Sequence, residues 1–285
     1  MLKFSNGNQR FSFVASTGRT ATTFIAKYLN SFEGIAGLHE GTVDGKSIGT
    51  GLLPEINVEN RVAYSSPAKA LNVVAEKRSD ADLRAALGTS GSQHIIDVAY
   101  YNATIAQALL ETHPSARMVG IIRDCGSFVR SSTTISGEDP LPVGWPSRSK
   151  NLTDRERFIS MGRIKPGRGH ADQKLWDNYT AILRNIWLWR ETNLCLIAAQ
   201  AACPDRVKLI CFEDIRNAPQ KFWSALGRGL GLERAIPPPD SEHREGTNKK
   251  PFGYQVPPVD QWQQEERDAL YEASKIIEEK AKFYV

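Results

Sequence analysis

The chain has 285 residues, 41% of them apolar and 24% charged, and a formal net charge of +4. That balance belongs to a globular protein with a sizeable core, and it excludes a disordered or membrane-embedded chain. The charge excess is small and Lys and Arg are dispersed, so nothing in it points to a nucleic-acid partner.

Residues 11–15 (FSFVA) are an apolar run suited to a buried strand. A polar turn holding Gly18 follows, and residues 20–32 place Phe24, Ile25, Tyr28, Leu29 and Phe32 on one helical face. Residues 34–38 are a second strand candidate ending at His39 and Glu40. Residues 41–67 are Gly-rich and irregular, which predicts a loop with short pieces of structure. Two weak helical patterns occupy 68–87, and a strand is expected at 94–98 (HIIDV). A helix follows over 102–113, with Asn102 as its N-cap. Residues 118–122 (MVGII) are a fully apolar strand followed by Arg123 and Asp124. Residues 136–172, rich in Gly, Pro and basic side chains, interrupt the pattern. They read as an insertion or lid inside one domain spanning 1–285. The spacing then predicts a long helix over 173–202 with room for a bend, a strand at 207–212 and a helix at 218–232. A polar loop at 243–261 and an amphipathic helix at 263–283 follow. Short apolar strands alternating with helices predict an α/β fold, a central parallel β-sheet flanked by helices.

Two segments carry chemistry. Residues 16–23 (STGRTATT) join the first strand to the first helix. The first N–H groups of a helix lack intrahelical acceptors, and with the helix dipole they form an anion site. Gly18 permits close backbone approach, Arg19 adds a fixed charge and a donor fork, and Thr22 and Thr23 add hydroxyls. A Thr-rich helix start that only caps itself is the competing reading. The segment lacks the second Gly and the Lys of a nucleoside-triphosphate loop, so ATP hydrolysis is not supported. Arg123 ends the 118–122 strand, and Ser131 comes about two helical turns later. Ligands of open α/β sheets bind beyond the carboxyl ends of strands, which puts both on the edge of the first loop. Arg123 suits bidentate phosphate pairing with Ser131 donating a hydroxyl bond, against the plainer reading of an Arg123–Asp124 surface pair.

Together these segments resemble the PAPS-dependent sulfotransferase family. Its donor loop reads like G-x-R-S-G-T-T, and here stand Gly18-Arg19-Thr20-Ala21-Thr22-Thr23. Its strand-end Arg with a following Ser is matched by Arg123 and Ser131. Cys211-Phe212-Glu213-Asp214-Ile215 and the helix at 218–232 also look like family segments. Ala21 stands for the usual Gly, Thr20 for Ser and Cys125 for a frequent Pro. Asp97 occupies the strand near which many members place a basic residue.

The resemblance implies a P-loop-like sulfotransferase fold. It implies transfer of a sulfuryl group from 3′-phosphoadenosine 5′-phosphosulfate (PAPS) to the hydroxyl of a carbohydrate or small metabolite, with no metal required. It implies that Gly18, Arg19, Thr20, Ala21, Thr22 and Thr23 cradle the phosphosulfate and that Arg123 and Ser131 hold the 3′-phosphate. Lys249 and Lys250 in the late polar loop are candidates for the 3′-phosphate and adenine. Arg19 would stabilise charge on the leaving phosphate, and Glu40 would be the general base with His39 its rival. Two alternatives stay open: an ATP-dependent small-molecule kinase, and a non-catalytic phosphoadenosine binder. Residues 41–67 and 136–172 are expected to shape the acceptor side. Trp145, Tyr64 and Tyr100 line it or belong to the core, and the basic residues between Arg148 and Arg168 suit an anionic acceptor.

His94 and His113 read as structural, and Glu213 and Asp214 as capping and bracing. Cys125, Cys195, Cys203 and Cys211 contain no CxxC pair, so the expectation is reduced thiols in a cytoplasmic protein rather than zinc. No apolar stretch approaches membrane-span length, and residues 1–10 lack a signal-peptide core.

Overall fold

A computed structural model describes residues 10–43, 46–47, 55–81, 83–85, 91–135, 144–145, 163–233, 235–240, 253–254 and 256–284. β1 (Arg10–Ser16) leads through the Gly18 loop to α1 (Thr22–Leu29), β2 (Ile35–His39), β3 (Thr42–Val43) and β4 (Lys46–Ser47). α2 (Glu55–Tyr64) and α3 (Pro67–Lys77) precede β5 (His94–Ala99). A 3-10 turn at Tyr100–Ala103 and α4 (Ala106–Thr112) reach β6 (Arg117–Ile122), α5 (Cys125–Ser132) and β7 (Thr134–Ile135). Then come α6 (Ala181–Ala202), β8 (Val207–Cys211), α7 (Asp214–Asn217), α8 (Pro219–Gly229), β9 (Gly253–Tyr254) and α9 (Gln264–Lys280).

The seven-stranded sheet has the order β4-β3-β2-β5-β1-β6-β8. β2, β5, β1, β6 and β8 run parallel, and β3 and β4 add an antiparallel edge. β1 lies inside the sheet, with Phe11 opposite Ile95 of β5 and Phe13 opposite Met118 of β6. Its side chains alternate between two cores. Phe11, Phe13 and Ala15 join Val74, Leu109, Leu196 and Ile277 on the face covered by α3, α4, α6 and α9. Val14 joins Ile25, Leu29, Phe222, Trp223 and Leu226 on the face covered by α1 and α8. A sheet buried on both faces needs apolar residues at consecutive positions, which is why its strands read as continuous runs. Gly37 lets α1 lie against β2: a Cβ there would stand 2.2 Å from the carbonyl oxygen of Ala26.

The α/β class and the parallel sheet match expectation, while several elements differ. α1 begins at Thr22 because Ala21 adopts a left-handed conformation that cannot continue the helix. α2 occupies part of the expected loop at 41–67. Asn102 is no N-cap: it is buried in the 3-10 turn and its amide donates to the carbonyls of Val14 and Asp97. The expected helix at 173–202 is two 3-10 turns and then α6. The break falls at Thr180, whose hydroxyl accepts from Leu183 N–H and donates to Glu266. The four cysteines are free. Among the described residues no helix is long and apolar enough to cross a membrane.

Candidate active site

The loop between β1 and α1 is tied to its own strand. Ser16 is fully buried, and its hydroxyl oxygen accepts from Gly18 N–H at 3.0 Å and from the Thr20 hydroxyl at 2.7 Å. Thr20, itself fully buried, therefore braces the loop with its side chain. Gly18, Arg19 and Ala21 have φ of 85°, 58° and 57°. These left-handed residues curl the peptides toward the start of α1, and Ala21 at the N-cap has no side-chain oxygen to satisfy the first N–H groups. An anion can take that place.

The two predicted segments meet. Arg19 Nε donates to Ser131 Oγ at 3.1 Å, and an Arg123 guanidinium N–H donates to the carbonyl of Arg19. Arg123 is held by contacts on several sides. Its Nε donates to Ser127 Oγ at 2.7 Å, its carbonyl accepts from Trp189 Nε1 at 2.8 Å, and its guanidinium lies 5.0 Å from the centre of the Phe212 ring. In place of the Arg123–Asp124 pair of the competing reading, Asp124 caps a helix: its Oδ1 accepts from Ser127 N–H at the start of α5. Glu213 braces the same corner by accepting from Asp124 N–H.

β2 delivers His39 and Glu40 to the same edge. His39 Nε2 lies 3.2 Å from Thr22 Oγ1 and 3.1 Å from Thr23 Oγ1, so this ring faces the loop threonines. It lies 3.9 Å from Glu40 Oε1. Glu40 has φ 51°, and among the described residues the only other non-glycine positions with positive φ are Arg19 and Ala21. Each such residue costs about 1–2 kcal/mol, and all three gather at this edge. The end of β5 holds the turn in place: Glu40 N–H donates to the carbonyl of Val98 and Gly41 N–H to Asp97 Oδ1. Asp97 Oδ2 accepts from Arg78 Nε at 3.0 Å, and Arg78 also donates to the Tyr101 hydroxyl at 2.6 Å. Asp97 and Arg78 are fully buried. Asp97 is thus a brace behind Glu40 rather than a ligand contact.

Sequence reasoning missed Arg163. It belongs to the expected insertion and is almost fully buried. Its guanidinium lies 4.6 Å from the centre of the Tyr100 ring and 3.7 Å from where a Cβ on Gly18 would stand. Burial, and then the charge of Arg163, lower the pKa of Arg19. Burial pushes Tyr100 up to about 12, with Arg163 opposing the rise and Glu40 adding to it. The run of basic residues from Arg148 to Arg168 was the available signal, but it could not say which of them turns inward. Of the aromatic candidates, Tyr100 stands at the loop. Trp145 is buried against Trp176 and donates to the Ile164 carbonyl, and Tyr64 donates to Glu191. His94 and His113 are buried and bonded to Ser12 and to the Arg78 carbonyl. Lys249 and Lys250, and most of the insertion at 136–172, lie outside the described residues.

Fold and site together define an α/β protein with a loop of left-handed residues at the carboxyl edge of a mainly parallel sheet. The chain is similar in structure to a sulfotransferase from Alicyclobacillus acidocaldarius, 14% identical over 96% of this chain and 93% of that one, with a TM-score of 0.46. It is also similar to sulfotransferase STF1 from Mycobacterium tuberculosis H37Rv, 12% identical over 93% of this chain and 77% of that one, again with a TM-score of 0.46. No family model matches the chain, and no curated protein matches it.

Proposed function

We propose that the protein is a sulfotransferase that moves a sulfuryl group from 3′-phosphoadenosine 5′-phosphosulfate to the hydroxyl of a carbohydrate or small metabolite. The observation that carries this reading is the 3.1 Å contact between Arg19 and Ser131. It joins the loop before α1 to the Arg123–Ser131 segment on α5, the two segments that resemble the donor-binding parts of the family. Guanidinium and hydroxyl donors of this kind suit phosphate and sulfate esters, so the residues present fit the donor.

In the proposed reaction the acceptor oxygen attacks sulfur in line, and the bond from sulfur to the bridging phosphate oxygen breaks. The peptides of the loop and the start of α1 orient the phosphosulfate, and Arg19 neutralises charge that builds on the leaving phosphate. Arg123 and Ser131 hold the 3′-phosphate. Glu40, half-buried at the sheet edge and braced from behind, takes the acceptor proton. His39, whose Nε2 faces Thr22 and Thr23, orients those hydroxyls.

Thermal unfolding with 3′,5′-phosphoadenosine, beside ADP and ATP with magnesium, tests the donor class. A ligand that binds only the folded state stabilises it by about 2.7 kcal/mol at a hundred times its dissociation constant. A shift with the bisphosphate alone is expected. A shift with ATP and magnesium instead would favour a kinase, and no shift with any of them would refute the reading.

A further inference from the structure

We propose that Arg163, reaching in from the 136–172 region, is a second arginine of the loop before α1 and holds, together with Arg19, the 5′-phosphate end of the donor. The inference rests on the donor class proposed above and adds a residue that the sequence pattern did not single out.

The argument begins with how Arg163 is held. Its carbonyl accepts from both Nε and Nη2 of Arg61 at 3.2 Å. The next residue, Ile164, is buried in the core, and its carbonyl accepts from Trp145 Nε1 at 3.0 Å. The backbone is therefore held at two successive carbonyls that follow the Arg163 Cα. The side chain runs from there over the face of Tyr100, with Nη1 3.7 Å from where a Cβ on Gly18 would stand. Gly18 opens the loop proposed above to cradle the phosphosulfate, and among the residues of that loop it is Gly18 that Arg163 approaches. That nearness assigns Arg163 to the phosphosulfate end of the ligand, whereas Arg123 and Ser131 meet the loop at Arg19.

Charge supports the assignment. Two guanidiniums close enough for one to lower the pKa of the other repel, and burial deepens the repulsion. A phosphate between them turns that repulsion into attraction for both. Tyr100 beneath Arg163 keeps the guanidinium plane in place without neutralising it, because its hydroxyl stays protonated well above neutral pH.

The test is calorimetric titration of the full chain, wild type and Arg163→Ala, with three probes: 3′,5′-phosphoadenosine, adenosine 5′-monophosphate and adenosine 3′-monophosphate. Arg163→Ala is expected to weaken the two probes carrying a 5′-phosphate by about ten- to a hundredfold. It should leave adenosine 3′-monophosphate within about twofold. Arg163→Lys, which keeps the charge, should recover part of the loss. Equal weakening of all three probes would mean that the substitution disturbs the fold and would overturn the assignment. So would unchanged binding of all three with a raised acceptor KM, which would place Arg163 on the acceptor. If the wild type binds the bisphosphate and Arg163→Ala binds it equally well, the inference fails while the donor class stands. If the wild type does not bind the bisphosphate, both fail.

Discussion

His39 and Glu40 are consecutive in the chain, yet the end of β2 turns them to different tasks. A residue in extended backbone would put its side chain on the opposite face from its neighbour. The left-handed turn at Glu40 breaks that alternation and leaves both side chains at the loop, 3.9 Å apart. Glu40→Gln keeps the shape and removes the proton acceptor. Turnover should fall by roughly two orders of magnitude or more, with 3′,5′-phosphoadenosine affinity within about twofold of wild type. Steady-state kinetics beside a binding titration separates the two. Normal turnover in Glu40→Gln would hand the base role to His39.

At the scale of elements, β5 shows how a strand buried on both faces carries a charge. Asp97 sits mid-strand, with each carboxylate oxygen accepting a hydrogen bond, from Gly41 on one side and Arg78 on the other. Replacing Asp97 by Asn leaves the buried Arg78 guanidinium without its counter-charge. A loss of about 3–5 kcal/mol in urea unfolding is expected. A loss below about 1 kcal/mol would mean that Tyr101 and the Lys77 carbonyl, its other acceptors, suffice. The parallel strands were legible in the sequence because double burial leaves an unbroken apolar run, as at 118–122. The meeting of the 16–23 loop with Arg123 and Ser131 was legible because both segments follow strands that end at the same edge of the sheet. Asn102 misled because its residue type suits a cap while its amide is spent on the carbonyls of Val14 and Asp97. α2 went unseen because Ile56, Val58 and Val62 are β-branched and Asn57 and Asn60 are weak helix formers. Arg163 and Arg78 were hidden for a common reason: their partners lie far away in sequence, and no local period marks a cation that turns inward.

For the molecule as a whole, acid stability follows from the neutral histidines inside it. His94 Nε2 donates to Ser12 Oγ, whose own proton goes to the carbonyl of Leu230. Burial, and then the nearby charge of Arg10, lower His94 to about 4 from the ordinary 6.5. The unfolded chain takes up a proton that the folded chain refuses. The stabilisation is therefore complete above pH 6.5 and is lost as pH falls toward 4, by about 3 kcal/mol in all. Burial lowers His113 as well, adding to the same slope. Plotted against pH, the urea-unfolding free energy of wild type should fall across this window, and His94→Gln should flatten the fall. An unchanged slope in His94→Gln would exclude His94 as its source. The sheet order has a consequence in time. β1 leads into the loop at 16–23, but its two neighbours are β5 and β6, made much later in the chain. Long closures must form before those pairings stabilise anything, so the strand waits unpaired during synthesis while its eventual partners emerge. A nascent chain stopped short of Ser131 would hold every residue from 16 to 23 and still lack the brace that Arg19 finds in α5, so binding of 3′,5′-phosphoadenosine should be absent until synthesis has passed residue 131.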